Sequence, residues 1–542
     1  MKLFKGNIID VFNREIIPGE LIVDNGIIQE IRKINEKVDY YILPGFVDSH
    51  VHIESSMLTP VAFARQAVKH GTVAAVCDPH EIANVCGIEG ISFMIENGNS
   101  SKMKLFFGAP SCVPATDFET NGAEITKYDI KYLFEKYPVK IALLSEVMNF
   151  PGVIHSERDI MEKIKISKSF NKKIDGHAPG LKGEDLIKYV QAGIETDHEC
   201  TSYREAEDKI KAGMKIIIRE GSAAKNFGEL IPLIRYYPEK IMFCTDDFHP
   251  DDLIKGHINQ LVKKSYDLGY DLYDIIRASS VNPILHYGLP VGLLRKNDKA
   301  DFIIVNNLKE WEIIDTMIDG KSSKSFDEEN AEKATRHVNN FRRTMIDIAS
   351  LKVKPESKNI RVITTKDKEL YTGENIVVPK IEDGYVVTDT VRDILKLVVL
   401  SRYDNRKPKI GFVQGFGLKE GAVASSIAHD SHNIICLGVK DEDITGAVRG
   451  IIKHQGGIVA VNNNKIFELP LNIGGLMTDS APGKVAADYS KVNSLLKEWG
   501  CMLNAPVMTL SFLSLLVIPE LKLSDMGLFD VGQFKYVDLF HE

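Results

Sequence analysis

The sequence predicts an α/β protein: a (β/α)8 TIM-like barrel, a discontinuous small β-sandwich domain and a C-terminal α/β domain. Two observations carry the barrel. Over residues 45–290, eight short apolar runs alternate with helical stretches, the pattern of repeated βα units around a parallel sheet. Residues able to bind metal or move protons follow most of those runs, and barrel active sites lie at the C-terminal rim of the strands.

A chain of 542 residues is too long for one ordinary core, so two to four domains are expected. Hydrophobic residues make up 44% and charged residues 26%, as in soluble globular proteins. The net charge of −8 gives no basic surface for nucleic acid, and no apolar run approaches membrane-spanning length. The N-terminus does not read as a signal peptide. Seven scattered cysteines with no Cys-X-X-Cys pair suit a reduced, cytoplasmic protein.

Residues 3–43 read as short strands, with Asp24-Asn25-Gly26 as a turn signal. They are too few to close a core and are paired with the β-rich runs at 292–294 and 300–305, giving a domain of residues 1–44 and 291–345. The barrel spans 45–290. Its strands are expected at 45–48, 72–77, 104–107, 141–144, 173–176, 195–197, 215–218 and 241–245, with helices such as 60–70 and 253–268. Residues 322–358 read as polar and helical, ending in a linker-like stretch, and residues 360–542 as a further α/β domain.

The first barrel strand leads into Pro44-Gly45-Phe46-Val47-Asp48-Ser49-His50-Val51-His52. Residues i and i+2 of a strand share a face, so His50 and His52 can offer two imidazoles to one ion. Strand four ends in Glu146, strand five leads to His177, strand six to His198, and strand eight to Asp246 and Asp247. One such residue has an ordinary explanation, a core histidine or a helix-start carboxylate. Six on one rim point to a metal centre.

Six ligands are too many for one tetrahedral zinc and suit two divalent ions. His50, His52 and Asp246 would hold the first, His177 and His198 the second, and Glu146 would bridge them together with a hydroxide. Asp246 would also act as general base and then return its proton to a leaving group. The mixed N/O set suits manganese or iron as well as zinc.

These residues give the chain a clear resemblance to the amidohydrolase superfamily, and within it to the microbial adenine deaminase family. The strings that carry it are His50-Val51-His52-Ile53-Glu54-Ser55-Ser56-Met57, Cys77-Asp78-Pro79-His80-Glu81-Ile82-Ala83-Asn84, Leu144-Ser145-Glu146-Val147-Met148-Asn149, Asp175-Gly176-His177-Ala178-Pro179-Gly180, Cys244-Thr245-Asp246-Asp247 and Ser425-Ser426-Ile427-Ala428-His429-Asp430-Ser431-His432-Asn433. Hydantoinase-like relatives bridge their metals with a carboxylated lysine; Glu146 stands at that position here.

The resemblance implies Mn²⁺ or Fe²⁺ and the hydrolysis of adenine to hypoxanthine and ammonia in purine salvage, with a small molecule rather than nucleic acid or membrane as partner. A homo-oligomer is expected. Charge builds on the purine ring during attack and must be met by hydrogen bonds. Glu81, His80 and Asp247 are the candidates for that task, either in catalysis or in support of the ligands.

His429 and His432 have metal-like spacing and read as a pocket lid, a third metal site or a polar turn at a helix start. The last domain is expected to pack near the barrel mouth. Gly415-Phe416-Gly417 lacks the context of a nucleotide fingerprint, and Gly474-Gly475 reads as a structural turn. Two other functions compete: a cyclic amidohydrolase acting on a dihydropyrimidine or hydantoin, and a scaffold that has lost its metals.

Overall fold

A computed structural model describes residues 1–542 except 223, 326–335, 368 and 370. The chain forms two compact units. The first comprises Met1–Pro79, Met94–Cys112 and Thr126–Thr335; the second comprises His80–Phe93, Val113–Ile125 and Arg336–Glu542.

In the first unit, strands β1 (Lys2–Asp10), β2 (Glu15–Asp24), β3 (Ile27–Lys33) and β4 (Tyr41–Pro44) precede the barrel. The register of β1 with β2 runs unbroken from Lys2 opposite Val23 to Asp10 opposite Glu15. The barrel strands are β5 (Phe46–His52), β6 (Thr72–Cys77), β7 (Lys104–Ala109), β8 (Ile141–Val147), β9 (Lys173–Gly176), β10 (Thr196–Asp197), β11 (Lys215–Arg219) and β12 (Ile241–Cys244). A two-residue strand, β13 (Asp246–Asp247), follows β12 and pairs in parallel with β5, opposite Val51 and His52. That pairing closes the ring. Between β9 and β10 the link is one backbone bond, Glu195 N–H to Ile174 O at 2.9 Å. The barrel strands are buried on both faces, as in a parallel sheet covered by helices.

After the barrel come β14 (Phe302–Val305), β15 (Ile313–Ile318) and β16 (Lys321–Ser322). They join the first four strands in one sheet of order β16-β15-β14-β4-β1-β2-β3. Ile8, Leu21, Val23, Ile42, Phe302 and Met317 form its core. Lys104, on β7, anchors this region to the barrel through Asp301 (2.6 Å), which is fully buried.

Local differences from the sequence expectation have simple causes. The helix expected at 253–268 is two helices, Pro250–Leu253 and Ile258–Asp267, broken around Gly256. The helix expected at 60–70 is α-helical over Pro60–Ala67 and tightens to a 3-10 turn over Val68–His70 before Gly71. The helical reading of 322–358 does not hold for its described part. Residues 336–358 contain one 3-10 turn, Ile348–Leu351. Arg343 ties this segment down by donating to the carbonyls of Ser401, Met345 and Arg406, so side chains rather than a helical ladder order it. Residues 326–335 of that reading lie outside the described residues.

The second unit is built on a mixed sheet containing Asn359–Thr364, Ile394–Leu400, Lys409–Gln414, Ala422–Ser425, Ile434–Gly438 and Gly457–Asn462, with helix Asp441–His454 packed on it. Leu400, Ala424, Ile434, Ala447, Val448 and Val459 are among its core residues. All seven cysteines are free thiols. No described helix is long and apolar enough to cross a membrane.

Candidate metal centre and its surroundings

The six residues expected as ligands come together at the C-terminal rim of the barrel. His50 and His52 share one face of β5, and their Nε2 atoms lie 3.1 Å apart. Asp246 Oδ1 is 3.1 Å from His52 Nε2 and 3.5 Å from His50 Nε2. Glu146 lies between the two halves: Oε1 is 3.5 Å from His52 Nε2, and Oε2 is 2.7 Å from His177 Nδ1 and 3.2 Å from His198 Nε2. The rings of His50 and His198 stack, with centroids 4.2 Å apart.

Backbone irregularities aim these side chains. The register between β8 and β9 shifts between Leu144 and Val147, around Ser145 and Glu146. The register between β5 and β6 shifts between Asp48 and Val51, around His50. Such bulges re-aim side chains at barrel rims. Glu146 therefore lies within its strand rather than after it. Asp246 has φ of 57°, the left-handed region that aspartate tolerates better than most residues. Gly176 precedes His177, and a Cβ there would stand 2.4 Å from Thr196 O, so only glycine lets β9 approach the β10 segment this closely.

Buried polar groups fix the support. Asp48 is fully buried; it accepts from the backbone N–H of Thr245 (3.1 Å) and of His50 (3.3 Å), coupling the first ligand strand to the segment bearing Asp246. Lys209, fully buried, donates to Ala178 O (2.7 Å) and Asp197 Oδ2 (3.1 Å), the neighbours of His177 and His198. Tyr189 accepts from His177 N–H and donates to Val147 O.

The donor chemistry fits divalent cations. His52 Nδ1 faces the carbonyl of Asp78 at 3.1 Å. A carbonyl only accepts, so Nδ1 carries a proton, and Nε2 is the nitrogen turned toward Asp246 and Glu146. As a neutral imidazole, His52 turns a lone pair toward two carboxylate oxygens, an arrangement that a cation among them relieves. Burial, and then the charge of His198, push His50 below the ordinary histidine value, which favours the neutral imidazole that a metal would need. Burial alone would raise Glu146, but His177 and His198 outweigh it and hold the carboxyl well below its usual range. Burial works against charge on His198, yet the Glu146 hydrogen bond and the carboxylates of Glu146, Asp246 and Glu199 lift it to about 9. The carboxylates of Glu146, Asp246 and Glu199 thus draw positive charge into this cluster.

Two residues absent from the sequence reading complete this cluster. Glu199 Oε1 is 3.5 Å from His198 Nε2 and 3.8 Å from His177 Nδ1. Arg219, the last residue of β11, contacts Glu199 with Nη1 and donates from the same atom to Asp246 Oδ2 at 2.6 Å. Strand seven thus follows the same rule as strands one, four, five, six and eight: its rim residue faces the site.

The remaining candidates divide between the units. Asp247 is not drawn into the ligand set; it accepts from Ser55 Oγ at 2.5 Å. Within the second unit, Glu81 lies between two imidazoles, with His429 Nδ1 2.8 Å from Oε1 and His432 Nε2 in contact with Oε2. His80 Nε2 is 3.5 Å from Glu81 Oε1. His432 Nδ1 accepts from Ala428 N–H, so its Nε2 carries the proton and donates to Glu81. Burial pushes His432 down to about 4 despite the nearby carboxylate, so it stays neutral at physiological pH. Glu81 is thus held between two imidazole nitrogens, and the ligand atoms of Glu81, His429 and His432 lie within 4.8 Å of one another.

Comparison with known proteins agrees along the whole chain. Residues 41–322 match the amidohydrolase family, and residues 369–535 match the adenine deaminase C-terminal domain. The chain is 50% identical to the adenine deaminase of Methanosarcina mazei over 100% of both chains. It is 49% identical to that of Sulfurovum sp. over 98% of this chain and 99% of the relative. For Borreliella burgdorferi the identity is 45%, over 99% and 100%. Identity of this extent covers the barrel, both sheets and the last unit together, and the chain belongs to the adenine deaminase family.

Proposed function

We propose that the protein hydrolyses adenine to hypoxanthine and ammonia, using two divalent metal ions held by His50, His52, Glu146, His177, His198 and Asp246. The observation that carries this reading is Glu146, one carboxylate shared by imidazoles from three other strands or strand ends. When bound, the two ions supply Lewis-acid charge and bring the pKa of a water into the neutral range. The N/O donor set suits Mn²⁺ or Fe²⁺, with Zn²⁺ accommodated by the same ligands.

The protein's own residues do the rest. The imidazoles and Glu146 fix the ions. Asp246 takes a proton from the attacking water with a carboxylate oxygen and delivers it to the departing amino group at C6 of the purine. The carbon passes through a tetrahedral state, the C–N bond to the amino group breaks with release of ammonia, and the second proton of the water passes to N1, so that the oxygen remains as the carbonyl of hypoxanthine. Charge on the ring nitrogens needs fixed partners, and we assign this to Glu81, with His80, Asp247, His429 and His432 in support. The seven free thiols suit a reduced, cytoplasmic setting.

The test is direct. The protein, loaded with manganese, is given adenine; loss of the purine ultraviolet band and release of ammonia are followed, with adenosine and dihydrouracil as controls. Adenine turns over, and the free base is preferred to adenosine by at least about a hundredfold in kcat/KM. Turnover of dihydrouracil without turnover of adenine would refute the assignment.

A further inference from the structure

The guanidinium of Arg219 is buried and lies across two carboxylates at the centre, and nothing in the ligand scheme uses it. Nη1 reaches both Glu199 Oε1 and Asp246 Oδ2, and Nη2 lies 3.2 Å from Glu199 Oε2. The strand end that carries Arg219 is itself anchored. Its backbone N–H donates to Asn226 Oδ1 at 2.7 Å, and the Asn226 amide donates to the carbonyls of His198 (3.0 Å) and Cys200 (3.1 Å). Arg219 is therefore fixed to the same segment that presents His198 and Glu199.

The two oxygens of Asp246 are consequently not equivalent. Oδ2 receives a donor that never gives up its charge. Oδ1 has no such partner and faces the two imidazoles of β5. Glu199 is equally divided: it stands within 4 Å of His177 and His198, yet both of its oxygens are engaged by the guanidinium.

We infer that Arg219 is a positioning residue of the metal centre, acting through Asp246 and Glu199. It occupies Oδ2 of Asp246, so that Oδ1 alone serves the ions and the proton transfer, and it keeps Glu199 from joining His177 and His198 as an additional ligand. This rests on the deaminase reading for its kinetic readout but not for its metal readout. One nitrogen atom makes the contacts to both carboxylates, so a single ammonium can replace much of the effect, whereas an apolar side chain of similar length cannot.

The experiment compares full-length protein with Arg219→Lys, Arg219→Met and Glu199→Gln variants after manganese loading. Metal content, the manganese electron paramagnetic resonance spectrum, kcat and KM are measured. Arg219→Met retains two ions and keeps KM for adenine within about threefold. Its kcat falls by about a hundredfold, the scale of a misplaced reacting group. Its resonance spectrum changes as the released Glu199 enters the coordination sphere. Arg219→Lys recovers at least about tenfold of the lost kcat and keeps the parent spectrum. Adding Glu199→Gln to Arg219→Met restores the parent-like spectrum.

Parent kcat and spectrum in Arg219→Met would overturn the inference. So would equal losses in the Lys and Met variants, which would mark simple packing. If Arg219→Met does not fold, the Lys variant decides: its kcat must fall below the parent value with KM unchanged and the parent spectrum kept, and a parent kcat would overturn the inference. If the parent protein shows no deamination, the function assignment fails, while the spectra still judge the role of Arg219.

Discussion

Asp246→Asn isolates the proton-transfer step. Asp246 is buried, with Oδ2 2.6 Å from Arg219 Nη1 and Oδ1 3.1 Å from His52 Nε2. An asparagine has one acceptor oxygen and one NH₂. Placing the NH₂ at Oδ2 would set donor against donor at 2.6 Å, so the amide turns its oxygen to Arg219 and its NH₂ toward the imidazoles. The variant loses the base and also loses the lone pair that faced the ligand set. A positioned acid/base contributes about 10²–10⁴-fold, so kcat should fall at least about a hundredfold, roughly 2.7 kcal/mol of barrier. The fold should survive, because the size is unchanged and the Arg219 bond is kept. The assay is loss of the adenine ultraviolet band at saturating substrate, with metal content measured on the same sample. A variant within about threefold of the parent rate, fully loaded, would refute the assignment of Asp246 as the base.

His50→Ala and His177→Ala each remove one imidazole from opposite halves of the centre; each should lower bound metal from two ions toward one or none and reduce turnover at least about a hundredfold, measured by elemental analysis and rate. Full occupancy in both would show that the ligand set is wrong. His286 is buried, and burial pushes it down to about 2, helped by Lys215, Lys173 and Lys240. Unfolding therefore takes up a proton below the ordinary value of 6.5, so this residue's contribution is intact above that pH and is lost by up to about 1.4 kcal/mol per unit as pH falls toward 2. His286→Leu should flatten the acid limb of a stability–pH curve, and an unchanged slope would refute the burial argument. Ending the chain at residue 358 strips Val113–Ile125 and His80–Phe93 of most of the unit they fold with, so deamination should vanish; a truncated protein with the full rate would refute this.

The barrel strands were legible because a strand covered on both faces must be apolar throughout. Ile141 to Leu144 and Ile241 to Cys244 are short uninterrupted runs, and a histidine or carboxylate at the end of such a run is conspicuous. That His50, His52, His177, His198, Glu146 and Asp246 would meet at one rim was legible in that way. Arg219 and Glu199 were not. An arginine ending a strand reads as a solvated cation, and a glutamate beside His198 reads as a helix-start carboxylate. The signal was present nonetheless, since Arg219 is the rim residue of the seventh strand. The clamp on Glu81 could not be read, because its partners lie about 350 residues away and nothing local pairs them. The helix expected across residue 256 failed for a local reason, glycine, while the segment around Arg343 failed for a tertiary one.

The seven-stranded sheet imposes an order on synthesis. β4 is its middle strand, flanked by β1 on one side and β14 on the other. Pro44 lies opposite Phe302, roughly 260 residues further along the chain. At a translation speed of about 5–20 residues per second, one edge of β4 waits roughly 13–50 seconds for its partner to leave the ribosome. During that interval Ile42 and Leu43, both fully buried in the finished protein, border an open sheet edge, the kind of surface on which nascent chains aggregate. The barrel is made in the meantime, and its completion carries β14 back to β4. Catalytic architecture and N-terminal sheet are therefore finished in the same event, and a chain stalled before residue 302 would be a ready client for a chaperone.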